Sequence, residues 1–273
     1  MLFTCLFIAA QLSAQKINYG NNPSAGHYLA MADSTKIYYE VYGKGRPVVL
    51  LHGALYGDIS EFSGIIPVLS KKFRVIAIEL RGHAKSEIGH QPFTYTLLAD
   101  DALTIIQHLT KDSVILIGFS SGAVTALTLT IAHPGLVRKL VYAGGNLSPQ
   151  DTRPEMLESQ KTVTGDSIVH DNPGFVQERK RLMPQPERWN EFITYLKNAW
   201  LTLPPADSTQ LRKIACPVLI VGGDRDQVNG IESFLKQYQL IPNSSLAIIP
   251  NSDHIIFHNR PDLMERLIMA FVE

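Results

Sequence analysis

The chain has 273 residues, with 25 Lys and Arg against 25 Asp and Glu, 45% hydrophobic residues and 18% charged ones. Such a balance excludes a disordered chain, and at this length roughly three quarters of the unfolded surface can be buried, so one large domain or a domain with an insertion is expected. Zero formal net charge and no long Lys/Arg run leave no electrostatic footprint for a polyanion, which argues against nucleic acid as a partner.

The predicted elements begin with a leader. Residues 1–14, MLFTCLFIAAQLSA, carry no charge, have an apolar centre from Leu2 to Ala10 and end on the small residues Ser13 and Ala14. This predicts a secretory signal and an exported protein, periplasmic or secreted, although the usual basic opening residues are absent. The stretch is too short to cross a bilayer, so no membrane span is expected. Cys5 follows Phe3 and Thr4 rather than small residues, which argues against lipidation there. Cleavage after Ala14 would leave Cys216 alone, so neither a disulfide nor a thiolate metal site is expected.

After a polar lead, the β-like runs at 27–32 and 36–42 flank Asp33-Ser34 and predict a hairpin. Short continuous apolar runs follow at 47–51, 74–78, 113–117, 139–143, 217–221 and 245–249. They alternate with helical stretches at 60–71, 95–110, 121–133, 231–240 and 261–272. Strands rich in Val, Ile and Leu without polar alternation are buried on both faces, so the pattern predicts an α/β fold with a doubly wound, mostly parallel sheet. The interval 146–215 is far longer than a crossover needs, and its helical stretches near 154–161, 174–183 and 187–201 predict an inserted lid. The expected organisation is leader 1–14, core 15–145, lid 146–215 and core 216–273.

The strand at 113–117 runs directly into Gly118-Phe119-Ser120-Ser121-Gly122 and then a helix. A G-x-S-x-G in this context presents its central serine on a tight turn, beside backbone N–H groups at the helix N-terminus. Ser120 is therefore the candidate nucleophile. A hydroxyl needs a base to take its proton and a carboxylate to orient that base. Both are available at the ends of the last two strands: Gly222-Gly223-Asp224-Arg225-Asp226 and Pro250-Asn251-Ser252-Asp253-His254. In an open parallel sheet these ends share one edge with Ser120, and the order Ser, Asp, His suits a hydrolytic triad.

These residues, with Leu50-Leu51-His52-Gly53, Leu80-Arg81-Gly82-His83-Ala84-Lys85-Ser86 and the Arg260-Pro261 pair, resemble the α/β-hydrolase superfamily in its capped, esterase- and peroxidase-like branch. The resemblance runs from Tyr38 to Phe271. It implies a serine hydrolase acting on a small, apolar ester-like substrate without a cofactor or metal, with Ser120, Asp226 and His254 as catalytic residues. It also implies an oxyanion hole made by the N–H groups of Ala54 and Ser121. Two departures stand out: Glu79 replaces the usual Asp, and Ala84 a common glycine.

Rival readings stay open. Asp224 competes with Asp226, although the family's acid lies three residues past the strand-ending glycine, here Gly223. Asn146 fills the alternative acid position, and His258 competes with His254. His52 and His83 are read as loop-fixing. The lid stripe Trp189, Ile193, Leu196 and Trp200 is read as packing, with a substrate wall as the alternative, and Arg179-Lys180-Arg181 as a solvated face without a role. Other chemistries remain possible on the same triad: proline-type aminopeptidase, with Glu155, Glu158, Glu178, Glu187 and Glu191 as candidate ammonium holders, carbon–carbon bond hydrolysis, peracid formation, or a non-catalytic ligand receptor.

Overall fold

The computed structural model describes residues 17–204 and 206–273; the predicted leader and Cys5 lie outside the described residues. Eight strands form one sheet: β1 (Gly26–Ala30), β2 (Lys36–Tyr42), β3 (Arg46–Leu51), β4 (Phe73–Ile78), β5 (Val114–Phe119), β6 (Val137–Ala143), β7 (Val218–Gly223) and β8 (Ser244–Ile249). Their spatial order is β1-β2-β4-β3-β5-β6-β7-β8, with β1–β2 and β2–β4 antiparallel and the remaining pairs parallel. The doubly wound sheet expected from the strand pattern is therefore the fold observed.

The uniformly apolar strands divide their residues between two cores by the two-residue period of the pleat. Val49, Leu51, Ile76, Leu116, Leu140 and Ile220 face one layer, where α2 (Tyr95–Leu109), α3 (Ser121–Ala132) and α9 (Ile231–Leu240) supply Ala102, Ile105, Ala126 and Phe234. Val48, Leu50, Val75, Ile117, Val141 and Val221 face the other, filled by Ile66 and Leu69 of α1 (Ile66–Leu69) and Met264, Ile268 and Val272 of α11 (Pro261–Val272). The predicted helix at 60–71 is instead a 3-10 turn, Ile59–Phe62, followed by the single turn α1. Gly64 weakens a continuous helix there, and Pro67 at the start of α1 has no N–H to continue one.

The chain between β6 and β7 is helical: α4 (Pro154–Thr162), α5 (Gly165–Asp171), α6 (Pro173–Leu182), α7 (Trp189–Thr202) and the short α8 (Ser208–Leu211). Helix α5 was not expected. Its signal is a capping box in which Thr164 Oγ1 accepts the Ser167 N–H and Ser167 Oγ accepts the Thr164 N–H. Arg179 of α6, read from sequence as part of a solvated face, pairs with Asp58 and donates to the Tyr56 carbonyl, tying the lid to the core. Among the described residues no helix is long and apolar enough to cross a membrane.

Candidate active site

The strand register sets the site. Leu51 at the end of β3 pairs with Gly118 in β5, so the loops carrying Ala54 and Ser121 leave the sheet side by side. Gly223 at the end of β7 pairs with Ile249 at the end of β8, so the loops carrying Asp226 and His254 do the same. All four loops emerge at the carboxyl edge, where the strand order reverses about β3.

Ser120 has φ +52°, a left-handed conformation costing a non-glycine residue about 1–2 kcal/mol, which the surrounding packing must impose. The positions two residues to either side cannot carry side chains. A Cβ on Gly118 would lie 2.5 Å from the Gly122 carbonyl oxygen, and one on Gly122 would lie 2.0 Å from that of Leu51. The two motif glycines are thus required by contact between α3 and the β3–β5 strand ends.

Ser120, His254 and Asp226 come together. His254 Nε2 is 2.9 Å from Ser120 Oγ, and His254 Nδ1 is 2.8 Å from Asp226 Oδ2. The carboxylate fixes the tautomer: Nδ1–H donates to Asp226, leaving Nε2 to accept the serine proton. Asp226 is buried, and its Oδ1 accepts the N–H groups of Val228 (2.7 Å) and Asn229 (2.9 Å), so its charge is fully bonded. The rivals are used elsewhere. Asp224 accepts the Ser252 N–H at 3.1 Å, Asn146 donates to the Ser148 carbonyl at 2.8 Å, and His258 lies exposed on α10 (Ile256–Asn259).

The N–H groups of Ala54 and Ser121 have no acceptor among the described residues. The loop around Ala54 is held on both sides: the Gly53 N–H donates to Glu61 Oε2 at 2.8 Å, and the Leu55 N–H donates to His83 Nε2 at 3.0 Å. Burial, reinforced by His52, holds His83 well below its ordinary pKa, so it stays neutral and can accept that bond. His52 is enclosed beneath the loop, its Nε2 accepting the Leu80 N–H at 3.0 Å and lying 3.0 Å from Glu79 Oε2. His52 and His83 are loop-fixing, as the sequence suggested. Glu61, which carries no motif signal, emerges only from the fold. Burial pushes its carboxyl up to about 7. The two sequence departures also acquire roles: Glu79 Oε1 accepts the Ile59 N–H at 3.1 Å, and Ala84 holds φ +41° where a glycine would sit unstrained.

A cavity of about 620 Å³ opens over Ser120 and His254, between the core loops and the lid. Ala54, Leu55, Met156, Val163, Ile168 and Trp200 supply much of its apolar lining. None of its lining residues is Lys, Arg or Glu, and Asp171 at the lid edge is its one carboxylate outside the Ser120–His254–Asp226 line. The lid glutamates considered as ammonium holders therefore do not face it. Among the described residues no cluster of three or more His, Cys, Asp or Glu could hold a metal ion.

Comparison with known proteins bears on this arrangement. Residues 46–261 match the family model described as the alpha/beta hydrolase fold. An esterase from Exiguobacterium antarcticum superposes with a TM-score of 0.74 at 25% identity, covering 90% of this chain and 99% of the other. A 2-hydroxy-6-oxo-6-(2'-aminophenyl)hexa-2,4-dienoic acid hydrolase of Metapseudomonas resinovorans is 26% identical, covering 84% of this chain and 85% of its own length. A non-heme haloperoxidase of Rhodococcus erythropolis is 24% identical, covering 90% and 99% respectively. With the family model matched over most of its length and esterases and hydrolases as its relatives, this chain belongs to the α/β-hydrolase family and is an enzyme of the hydrolase kind.

Proposed function

We propose that the protein is a serine hydrolase that cleaves a small, uncharged carboxylic ester, thioester or lactone through an acyl-enzyme. The observation that carries this reading is the continuous Asp226–His254–Ser120 line, with contacts of 2.8 and 2.9 Å, at the floor of the cavity. Ser120 Oγ attacks the substrate carbonyl while its proton passes to His254 Nε2, and Asp226 stabilises the imidazolium. Negative charge then develops on the carbonyl oxygen, where the free N–H groups of Ala54 and Ser121 receive it. By precedent each such donor is worth about 3 kcal/mol of barrier. Collapse breaks the bond to the leaving alcohol, which takes the proton from His254. Water, deprotonated by the same histidine, attacks the acyl-enzyme, releases the acid and returns the proton to Ser120.

Ester hydrolysis is favoured over carbon–carbon cleavage of a dienoic acid by the charge of the cavity. Such an acid carries a carboxylate, and the cavity has no Lys or Arg side chain to hold it. An aminopeptidase reading loses support for the related reason that no lid glutamate lines the cavity.

The test is turnover of p-nitrophenyl esters by the parent, Ser120→Ala and Asp226→Asn. Loss of turnover in Ser120→Ala and a fall of about 10⁴ in kcat for Asp226→Asn are expected, the latter because Asn imposes the wrong tautomer. A folded parent that neither cleaves any ester nor reacts with a serine-directed phosphonate would overturn the reading in favour of a ligand receptor.

A further inference from the structure

Helix α7 turns most of its apolar residues inward. Trp189, Phe192, Ile193 and Leu196 are buried with Phe93, Leu98 and Val124, as the packing reading of the stripe expects. Trp200, one turn past Leu196, is the residue of α7 that lines the cavity. Its indole N–H donates to Ser121 Oγ at 3.3 Å, and the same hydroxyl lies 3.2 Å from that of Tyr95 at the start of α2. Tyr95 and Ser121 are both buried, and burial pushes the Tyr95 phenol up to about 12, so this link stays neutral across the working pH range. Ser121 thus separates its two polar groups: its N–H is free beside Ser120, and its side chain holds Trp200.

The chemistry assigns directions to the parts of a bound ester. The leaving oxygen has to reach His254 Nε2 for its proton, so the alcohol portion passes Gln227, Val228 and Ile255, which adjoin Asp226 and His254 and line the cavity. The oxyanion points at the Ala54 and Ser121 N–H groups. The acyl chain then faces the rest of the lining, which holds Trp200 together with Leu55, Met156, Val163 and Ile168. We propose that Trp200 determines acyl-chain length: its indole, pinned by the Ser121 hydroxyl, closes the acyl arm of the cavity. This deepens the serine-hydrolase reading and rests on it. Because the pin attaches to the residue next to Ser120, it ties this wall directly to the nucleophile's turn.

The experiment compares kcat/KM for p-nitrophenyl esters from acetate to decanoate in the parent, Trp200→Ala and Trp200→Phe. In Trp200→Ala the decanoate-to-acetate ratio is expected to rise about tenfold or more, since several methylenes gain room and each apolar methylene in a pocket carries about tenfold discrimination or more. Trp200→Phe keeps a ring but loses the donor, so its ratio falls between the other two. A uniform loss at every chain length would mean that Trp200 only supports the fold, and would overturn the proposal. If Trp200→Ala does not fold, Trp200→Phe carries the test: an unchanged ratio overturns the proposal. If the parent cleaves no ester, the hydrolase reading fails on its own. Calorimetric binding of uncharged straight-chain methyl ketones from acetone to 2-undecanone then decides the role of Trp200 separately. A longer optimum in the variant supports it, and the same optimum in parent and variant refutes it.

Discussion

Replacing Glu61 by Gln should stabilise the protein, and by an amount that grows with pH. Glu61 sits under the Ala54 loop with one oxygen on the Gly53 N–H, and burial raises its carboxyl from 4.5 to about 7. An acid whose folded pKa is raised favours folding below the unfolded value, and that contribution is lost as pH rises through the folded value. In the parent, the ionised carboxylate therefore costs stability progressively between 4.5 and about 7. Linkage between those two values gives a cost of roughly 0.8 kcal/mol near pH 5 and roughly 3 kcal/mol near pH 8. The side chain keeps part of its surface open, and solvent screening makes the larger figure an upper bound, so about 2 kcal/mol is expected at the alkaline end. Gln preserves the acceptor for Gly53, which separates the charge effect from loss of the bond. Urea unfolding of parent and Glu61→Gln across this pH range reads the difference directly. A stability difference independent of pH, or a parent more stable than the variant near pH 8, would refute the reasoning.

Two further substitutions probe the frame around the site. Arg81 is buried and bonds to both oxygens of Asp101, at 2.8 and 2.7 Å, and to Asp33 at 2.7 Å; Asp33 is held down to about 2, its bonds to Arg81 and Thr35 outweighing the upward push of burial. Arg81→Ala strands those carboxylates and is expected to cost about 3–5 kcal/mol in urea unfolding near neutral pH, with a loss under about 1 kcal/mol counting against it. Ala84→Gly relieves the backbone at φ +41° but frees the unfolded chain, for a net gain of about 0.5–1 kcal/mol, or about 1–3 °C in Tm; a fall in Tm would show that Ala84 is unstrained.

The strand runs, the G-x-S-x-G turn and the order Ser120, Asp226, His254 are local signals, because burial on both faces and a tight glycine-flanked turn leave marks within a few residues. From these alone the parallel sheet, the lid interval and three of the residues at its carboxyl edge follow. The family's spacing from Gly223 favours Asp226 over Asp224, but the physical basis of that preference is not local. It depends on which carboxylate meets the N–H groups of Val228 and Asn229 while facing His254, and that is a contact between two strand ends. Arg179 reaching Asp58, Glu61 under the Ala54 loop and Ser121 holding Trp200 join residues 121, 8 and 79 positions apart. No periodicity marks such pairs, since a side chain's partner at long range is set by how the layers stack. Sequence by itself determined the sheet and the candidate residues at its edge, through local propensity and burial. Tertiary packing alone decided what holds the Ala54 loop and that Trp200 reaches the cavity, because those contacts arise only when separate elements meet.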